Sequence, residues 1–227
     1  MILTTKQRAQ RILASLTSVN EDLLALADDV GHSINFRDLT SLDTGTEFLR
    51  SYSQKLNTFQ ALSEEIAVMI RERQGIATED TPGNRAGTPT NPRDPFLADR
   101  APHFLSEDFT FTKPIGFVLR GQAFKGISTW REAYVTVCRE LARLNPARFA
   151  TLPEHPTFLT QQNHRWFSRS QGKPTQWHRV DDGIYVYVNL SANDTCERIR
   201  QLLREFSVSE TDMKIYLQRE QSAEIVA

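Results

Sequence analysis

The sequence contains little of what marks secreted, membrane-spanning or disulfide-stapled proteins. Its 227 residues include only two cysteines, Cys138 and Cys196, which are too few for a disulfide framework and favour a reducing compartment. No apolar run approaches the ~20 residues that cross a bilayer. The first residues, MILTTKQRAQRIL, lack the charged start, apolar block and cleavage site of a signal peptide. We therefore expect a cytoplasmic protein with no membrane partner.

Motifs of catalysis and of cofactor binding are also missing. The sequence has no GxGxxG, GxxxxGK[ST] or GxSxG pattern, and its five histidines are spaced irregularly without a CxxC or HExxH. Both cysteines fall on apolar faces of helical patterns, where a buried thiol has a raised pKa and is a poor nucleophile. The sequence predicts no metal, no cofactor and no catalytic residue, which favours a non-enzymatic function.

The composition that is present fits a globular chain in two parts. Hydrophobic residues make up 39% of the sequence and charged residues 24%, enough for a real core. Half of the ten prolines fall in one short stretch, at Pro82, Pro89, Pro92, Pro95 and Pro102. Such a stretch buries too little apolar surface to offset its ordering entropy. We predict a helical part at 1–75, a flexible linker at 76–108, an α+β domain at 109–219 and a tail at 220–227.

The first 75 residues have the apolar spacing of two long helices. Residues of the first helix recur at steps of three and four from Thr5 to Val30, with Gly31 as the expected cap. A second helix is predicted from about Gly45, capped by Asp43 or Thr44, to Gly75. A short connection predicts an antiparallel hairpin with a coiled-coil-like seam. The seam residues are Leu49, Tyr52, Leu56, Phe59 and Leu62.

The apolar stripes of this hairpin are too wide for two helices to cover. We therefore expect the seam to bind a second copy of the chain or a protein partner. The alternative is that the stripe packs on the C-terminal domain of the same chain.

The C-terminal part alternates strand and helix patterns. A hairpin at 115–125 turns at Arg120 and Gly121, and a helix follows from Ser128 or Thr129 to Leu144. Strands are predicted at 166–168, 183–189 and 213–217, with a helix from Ser191 to Phe206 before the last strand. The order β-β-α-β-β-α-β predicts a two-layer α+β domain with both helices on one face of the sheet.

Residues 163–179 combine cations with aromatic side chains and contain no acidic residue. Residues 109–227 carry sixteen Lys and Arg against twelve Asp and Glu, so this half is net basic although the chain has a net charge of −1. Cations neutralise phosphates, and aromatic rings stack on unpaired bases. The segment therefore predicts nucleic-acid contact. The candidate residues are Arg165, Trp166, Arg169, Lys173, Trp177 and Arg179. The alternative is that the tryptophans belong to the core and the charges solvate a loop.

An enzymatic alternative is a metal-dependent nuclease or other hydrolase. Asp181 and Asp182 precede a predicted strand, and Asp212 and Lys214 open another, which loosely matches the acidic and DxK pattern of DNA endonucleases. Aspartates are also ordinary turn residues at such positions.

Several segments of the C-terminal half together are similar to a small α+β domain found at the C-termini of bacterial and archaeal proteins of the restriction and phage-defence type. The segments are Lys113-Pro-Ile-Gly-Phe, Gly121, Ser128-Thr-Trp-Arg-Glu, Arg165-Trp-Phe-Ser, Gly183-Ile-Tyr-Val-Tyr-Val-Asn-Leu-Ser-Ala and Ile199-Arg-Gln-Leu-Leu. The resemblance covers about 109–218 and leaves out the helical hairpin. It implies an accessory or recognition module without assigned catalytic residues, and hence an adaptor of a defence or restriction system.

Overall fold

The computed structural model describes residues 4–75, 88–90, 100–159, 165–172, 176–181 and 183–218, with the backbone alone at 88–90. Helix α1 spans Thr5–Ser33 and helix α2 spans Leu39–Gln74, and the two pack side by side as a hairpin. The predicted α+β class is confirmed.

Local capping fixes the ends of both long helices. The Thr4 and Gln7 side chains form a capping box at the start of α1. The Asp38 side chain accepts the Thr40 N–H at the start of α2, and Gly75 ends α2 with a φ of 57°. Both helices are therefore longer than predicted on the hairpin side, and the connection is shorter. Gly31 and Gly45, the predicted end of the first helix and start of the second, both lie within the helices. The Ile34 side chain packs directly on Gly45.

The strands form two separate antiparallel sheets. The larger has the order β1-β3-β2-β7, with β1 at Thr88–Thr90, β2 at Pro114–Leu119, β3 at Gln122–Lys125 and β7 at Met213–Leu217. The smaller has the order β4-β6-β5, with β4 at Phe167–Ser168, β5 at Trp177–Asp181 and β6 at Ile184–Tyr187. The β2–β3 hairpin turns as predicted, with positive φ at Arg120 (50°) and Gly121 (77°). Strands β1 and β5 were not predicted.

Two amphipathic helices carry the core of the α+β domain. Helix α3 spans Trp130–Leu144 with Thr129 as its cap, and helix α5 spans Ala192–Glu205 with Ser191 as its cap, as the sequence predicts. A short helix, α4, spans Pro146–Phe149 between them. Their apolar faces and the strands of both sheets bury one continuous cluster of side chains. The largest members are Trp130, Tyr134, Phe109, Phe117, Phe124, Phe149, Phe158 and Phe167.

The α+β domain begins earlier in the chain than predicted. His103 exchanges two backbone hydrogen bonds with Ile215 at 2.8 and 2.9 Å, and Leu105 is buried. Residues 100–108 therefore belong to the domain and not to the linker. Strand β1 forms the outer strand of the larger sheet from within the predicted linker. The rest of 76–99 and the predicted tail at 220–227 lie outside the described residues.

Candidate interaction surfaces

A three-way amide contact joins the helical hairpin to the α+β domain. The Asn20 amide of α1 donates to the Asn189 side-chain oxygen at 2.9 Å. The Gln60 amide of α2 donates to the side-chain oxygens of both Asn20 and Asn189, at 2.9 and 3.0 Å. One residue from each helix and one from the domain thus meet in a single hydrogen-bonded cluster. Part of the hairpin therefore packs on the α+β domain of the same chain, as the alternative prediction states.

Glu21 makes a second polar contact between hairpin and domain. Its carboxylate oxygens accept the backbone N–H groups of Arg131 at 2.8 Å and of Trp130 at 3.3 Å, at the first turn of α3. The Thr129 side chain and carbonyl accept the next two N–H groups. Three N–H groups at the start of α3 that have no acceptor in the helix backbone are therefore paired, two of them by a residue from another helix. Burial raises the pKa of the Glu21 carboxyl to about 8 in spite of these hydrogen bonds.

A small cavity lined by both polar and apolar side chains lies beside these contacts. Its volume is about 60 Å³, and its lining includes Asn20, Glu21 and Gln60 from the hairpin and Arg131 and Asn189 from the domain. A space of this size, bounded by several hydrogen-bonding groups, is large enough for a few water molecules. The boundary between the hairpin and the domain thus combines polar contacts with apolar side chains such as Leu16 and Val188.

The opposite side of the hairpin carries exposed apolar side chains at helical spacing. We call these seven residues the outward stripe; their exposed fractions lie between 37% and 68%. They are Ile12, Val19 and Leu26 of α1 and Phe48, Leu62, Ile66 and Met69 of α2. Val19 and Glu21 are two residues apart, about 200° around a helix of 3.6 residues per turn. The outward stripe therefore faces away from the α+β domain.

The five predicted seam residues divide between the inside and the outside of the hairpin. Leu56 is buried within the chain, and the Tyr52 hydroxyl donates to the Leu23 carbonyl of α1 at 2.9 Å. Leu49 and Phe59 are half-buried, whereas Leu62 is 54% exposed and belongs to the outward stripe. The sequence prediction missed the other outward residues as surface candidates. The sequence pattern that identifies them on α1 is the seven-residue spacing of Ile12, Val19 and Leu26.

In the predicted nucleic-acid segment, the Arg169 guanidinium is already engaged within the chain. The Arg169 guanidinium donates to the Glu154 carboxylate at 2.8 Å and to the Ala150 carbonyl at 2.6 Å. The Arg169 hydrogen bond lowers the pKa of Glu154. Arg165 is exposed and Arg179 is half-buried, while Lys173 lies outside the described residues. Arg169 is thus a poorer candidate for phosphate binding than the sequence alone indicates.

The tryptophans of this segment form one cluster on the smaller sheet. Trp166 and Trp177 both contact the ring of Tyr187 edge-on, with centroids 5.7 and 5.5 Å away. The Arg198 guanidinium lies 3.8 Å from the centre of the Trp166 ring. Trp177 also packs on Gly172, and both tryptophans are half-buried. These rings are neither fully in the core nor free in a loop.

The residues of the enzymatic alternative fall on different sheets. Asp181 ends β5 of the smaller sheet, whereas Asp212 and Lys214 stand at the start of β7 in the larger sheet. Asp182 lies outside the described residues. Within the described ranges, no group of three or more His, Cys, Asp or Glu side chains lies close enough together to hold a metal ion. Cys138 and Cys196 are buried as predicted, and burial raises the pKa of each thiol.

In the part of the chain that the structure describes, no helix is both long and apolar enough to cross a membrane. Comparison with known proteins gives no relative: no family model, no curated protein and no solved structure matches the chain.

Proposed function

We propose that this protein is a non-enzymatic adaptor that self-associates through its helical hairpin and presents its α+β domain to a second partner. The observation that carries the proposal is the outward stripe: seven large apolar side chains remain exposed on one face of the hairpin. An exposed apolar patch rimmed by polar residues usually marks an interaction site, whereas apolar residues scattered singly on a surface do not. The resemblance of residues 109–218 to accessory domains supports a defence or restriction system as the setting.

The energetics favour a partner on this face. Full burial of a Val, Leu, Ile, Phe or Met side chain contributes roughly 1.5–3 kcal/mol. Burying the exposed parts of these seven side chains against a partner would therefore contribute several kcal/mol to the free energy of association. The inner side of the hairpin is already closed by the α+β domain through Glu21 and the amide cluster.

Placing two charges on the outward stripe is expected to convert the self-associated protein into monomers. Val19→Glu combined with Leu62→Glu puts a carboxylate on each helix of the face, and an unpaired buried carboxylate opposes association. Light scattering after size-exclusion chromatography measures the change, and far-UV circular dichroism checks that the helices remain.

Val68→Glu is the matched control for this experiment. Val68 is 41% exposed on α2, but its position places it on another face of the helix, so the assembly is expected to persist. If the unmodified protein is a monomer at high micromolar concentration, self-association is wrong.

A second candidate for the partner of the α+β domain is nucleic acid. The observation that favours it is the aromatic cluster on the smaller sheet: Trp166 and Trp177 are half-buried, Arg165 and Arg179 lie within two residues of them in the sequence, and the Arg198 guanidinium lies over the Trp166 ring. Half-exposed rings next to cations are the arrangement that single-stranded nucleic acids bind.

If this surface binds phosphates, the affinity for single-stranded DNA or RNA falls steeply with salt. Arg165→Ala is expected to reduce the log–log salt slope by ~0.7 to 0.9, the contribution of one phosphate contact. Arg169→Ala is expected to change the slope less, because Glu154 already neutralises that guanidinium. Fluorescence anisotropy across a salt series measures both.

Arg50→Ala provides the control, since Arg50 is an exposed cation on α2 of the helical hairpin, outside the smaller sheet. An absence of binding to single- and double-stranded nucleic acids at low salt excludes this candidate. Cleavage that depends on Mg²⁺ and disappears in Lys214→Ala supports the nuclease alternative instead.

A further inference from the structure

We propose that the outward stripe binds a second copy of this chain in the antiparallel orientation, with α1 lying over α1 and α2 over α2. This inference rests on the proposed self-association and adds the partner, its orientation and its register. Two features carry it: the symmetric spacing of the stripe about the middle of the hairpin, and the uneven distribution of charge along α1.

The stripe is nearly symmetric about one point on each helix. Ile12 and Leu26 each lie seven residues from Val19, and on α2 the stripe residues Phe48 and Met69 lie eleven and ten residues from the half-buried Phe59. The contacts of Leu23 with Tyr52 and of Asn20 with Gln60 place the middle of α1 beside the middle of α2. A two-fold axis that lies in the interface, perpendicular to the helices and passing over Val19 and Phe59, therefore relates each helix to the same helix of the other copy.

This axis brings apolar side chains of the two copies together along the whole face. Ile12 of each copy meets Leu26 of the other, and Val19 meets its own counterpart. On α2, Phe48 meets Met69, since these lie eleven and ten residues from Phe59. Lys55 lies opposite Leu62 of the other copy. Glu65 of that copy is one helical turn from Leu62 and is therefore close to Lys55. A single charged residue in an apolar seam is a known means of fixing register.

The charges on α1 select the antiparallel orientation over the parallel one. Residues 4–12 contain Lys6, Arg8 and Arg11 and no acidic residue, whereas residues 21–29 contain no Lys or Arg. Of the four acidic residues at 21–29, Glu21 is buried against α3 and Asp28 hydrogen-bonds with Ser191 of the domain, so Asp22 and Asp29 supply the negative charge beside the outward stripe. Reversing one copy end for end places the basic segment of each chain over the acidic segment of the other. The parallel arrangement instead places the basic segment over the end of α2, which carries Arg71, Glu72 and Arg73, with Arg71 already paired to Glu64. That end offers no matching acidic segment, so charge complementarity favours the antiparallel orientation.

The face is large enough for a reversible dimer. The stripe on α2 runs over 22 residues from Phe48 to Met69, or ~32 Å at 1.5 Å per residue. Across two helices ~10 Å wide each, this gives roughly 600 Å² per copy, somewhat below the ~800 Å² of a standard interface. We therefore expect a dimer that dissociates on dilution.

Disulfide trapping in the full chain distinguishes the orientations. Val19→Cys is expected to form a covalent dimer with itself under mild oxidation. Ile12→Cys and Leu26→Cys are each expected to remain monomeric under denaturing electrophoresis and to form a mixed disulfide when combined. The native Cys138 and Cys196 are buried and do not contribute. Asn57→Cys, exposed on the other side of α2, is the control and is expected to cross-link at least tenfold more slowly.

A charge reversal provides a second, independent test. Arg11→Glu is expected to weaken the dimer about tenfold, and adding Asp29→Arg to the same chain is expected to restore it, since the two positions meet across the axis. If light scattering reports a dimer but Val19→Cys pairs with Phe59→Cys and not with itself, the antiparallel orientation is wrong and self-association stands. If the chain is a monomer at high micromolar concentration, both proposals are wrong.

Discussion

Trp130→Ala is expected to lower the free energy of unfolding by ~3–5 kcal/mol, as for other large-to-small substitutions of buried aromatic residues. Trp130 is fully buried, and its ring centre lies 4.8 Å from that of Phe109. Its indole N–H also donates to the Thr112 carbonyl at 2.9 Å. Alanine leaves a cavity under α3 and removes the bond that fixes the segment before β2. Urea denaturation followed by far-UV circular dichroism measures the loss.

Two control variants separate the ring from the hydrogen bond. Trp130→Phe keeps most of the apolar volume and loses only the donor, so a loss of ~1–3 kcal/mol is expected from the unpaired Thr112 carbonyl. Phe36→Ala removes a ring that is 73% exposed and is expected to change stability by less than ~0.5 kcal/mol. A loss below ~1 kcal/mol for Trp130→Ala contradicts the packing described here.

The elements that the sequence predicts well are those whose ends depend on local chemistry. Thr129 caps α3, Ser191 caps α5, and Arg120 with Gly121 turns the β2–β3 hairpin. In each case the side chain or backbone that decides the boundary lies within three residues of it. Such signals are readable from a short window of sequence.

The elements that the sequence misses depend on contacts between distant residues. Strand β5 forms because Trp177–Asp181 pairs with β6, and the residues after 100 join the domain because His103 pairs with Ile215. Neither segment has a strong strand pattern of its own. The division of the strands into two sheets is likewise decided by which strands pair, and pairing leaves little mark on each strand alone.

The interaction surface was only half predictable for the same reason. Apolar residues at steps of three and four occupy more than half of the α2 circumference, and periodicity alone does not say which side the α+β domain covers. The contact of Gln60 with Asn189 fixes which side of α2 faces the α+β domain. It turns Leu56 inward and leaves Leu62 exposed. Glu21 gave no signal in the sequence, since an acidic residue in a long helix is ordinarily a solvated one.

Glu21→Gln is expected to remove a pH dependence of stability that the unmodified protein shows. The pKa of the Glu21 carboxyl is about 8 in the folded protein, against an ordinary value of 4.5. Below pH 4.5 the group is protonated in both states. Between 4.5 and about 8 the unfolded chain releases the proton while the folded chain retains it, so the free energy of unfolding falls as the pH rises. The slope approaches ~1.4 kcal/mol per pH unit for one proton.

Glutamine keeps an acceptor for the Arg131 N–H and cannot ionise, so its contribution is independent of pH. The stability of Glu21→Gln relative to the unmodified protein is therefore expected to increase steadily from pH 5 to pH 8, because desolvation penalises only the charged carboxylate. Urea denaturation at each pH gives this difference, and taking the difference cancels the titration of all other groups. Asn57→Ala replaces an exposed side chain of α2 that does not ionise and is expected to give a flat difference. A flat difference for Glu21→Gln as well contradicts the burial of this carboxyl, and with it the close docking of the hairpin on the first turn of α3.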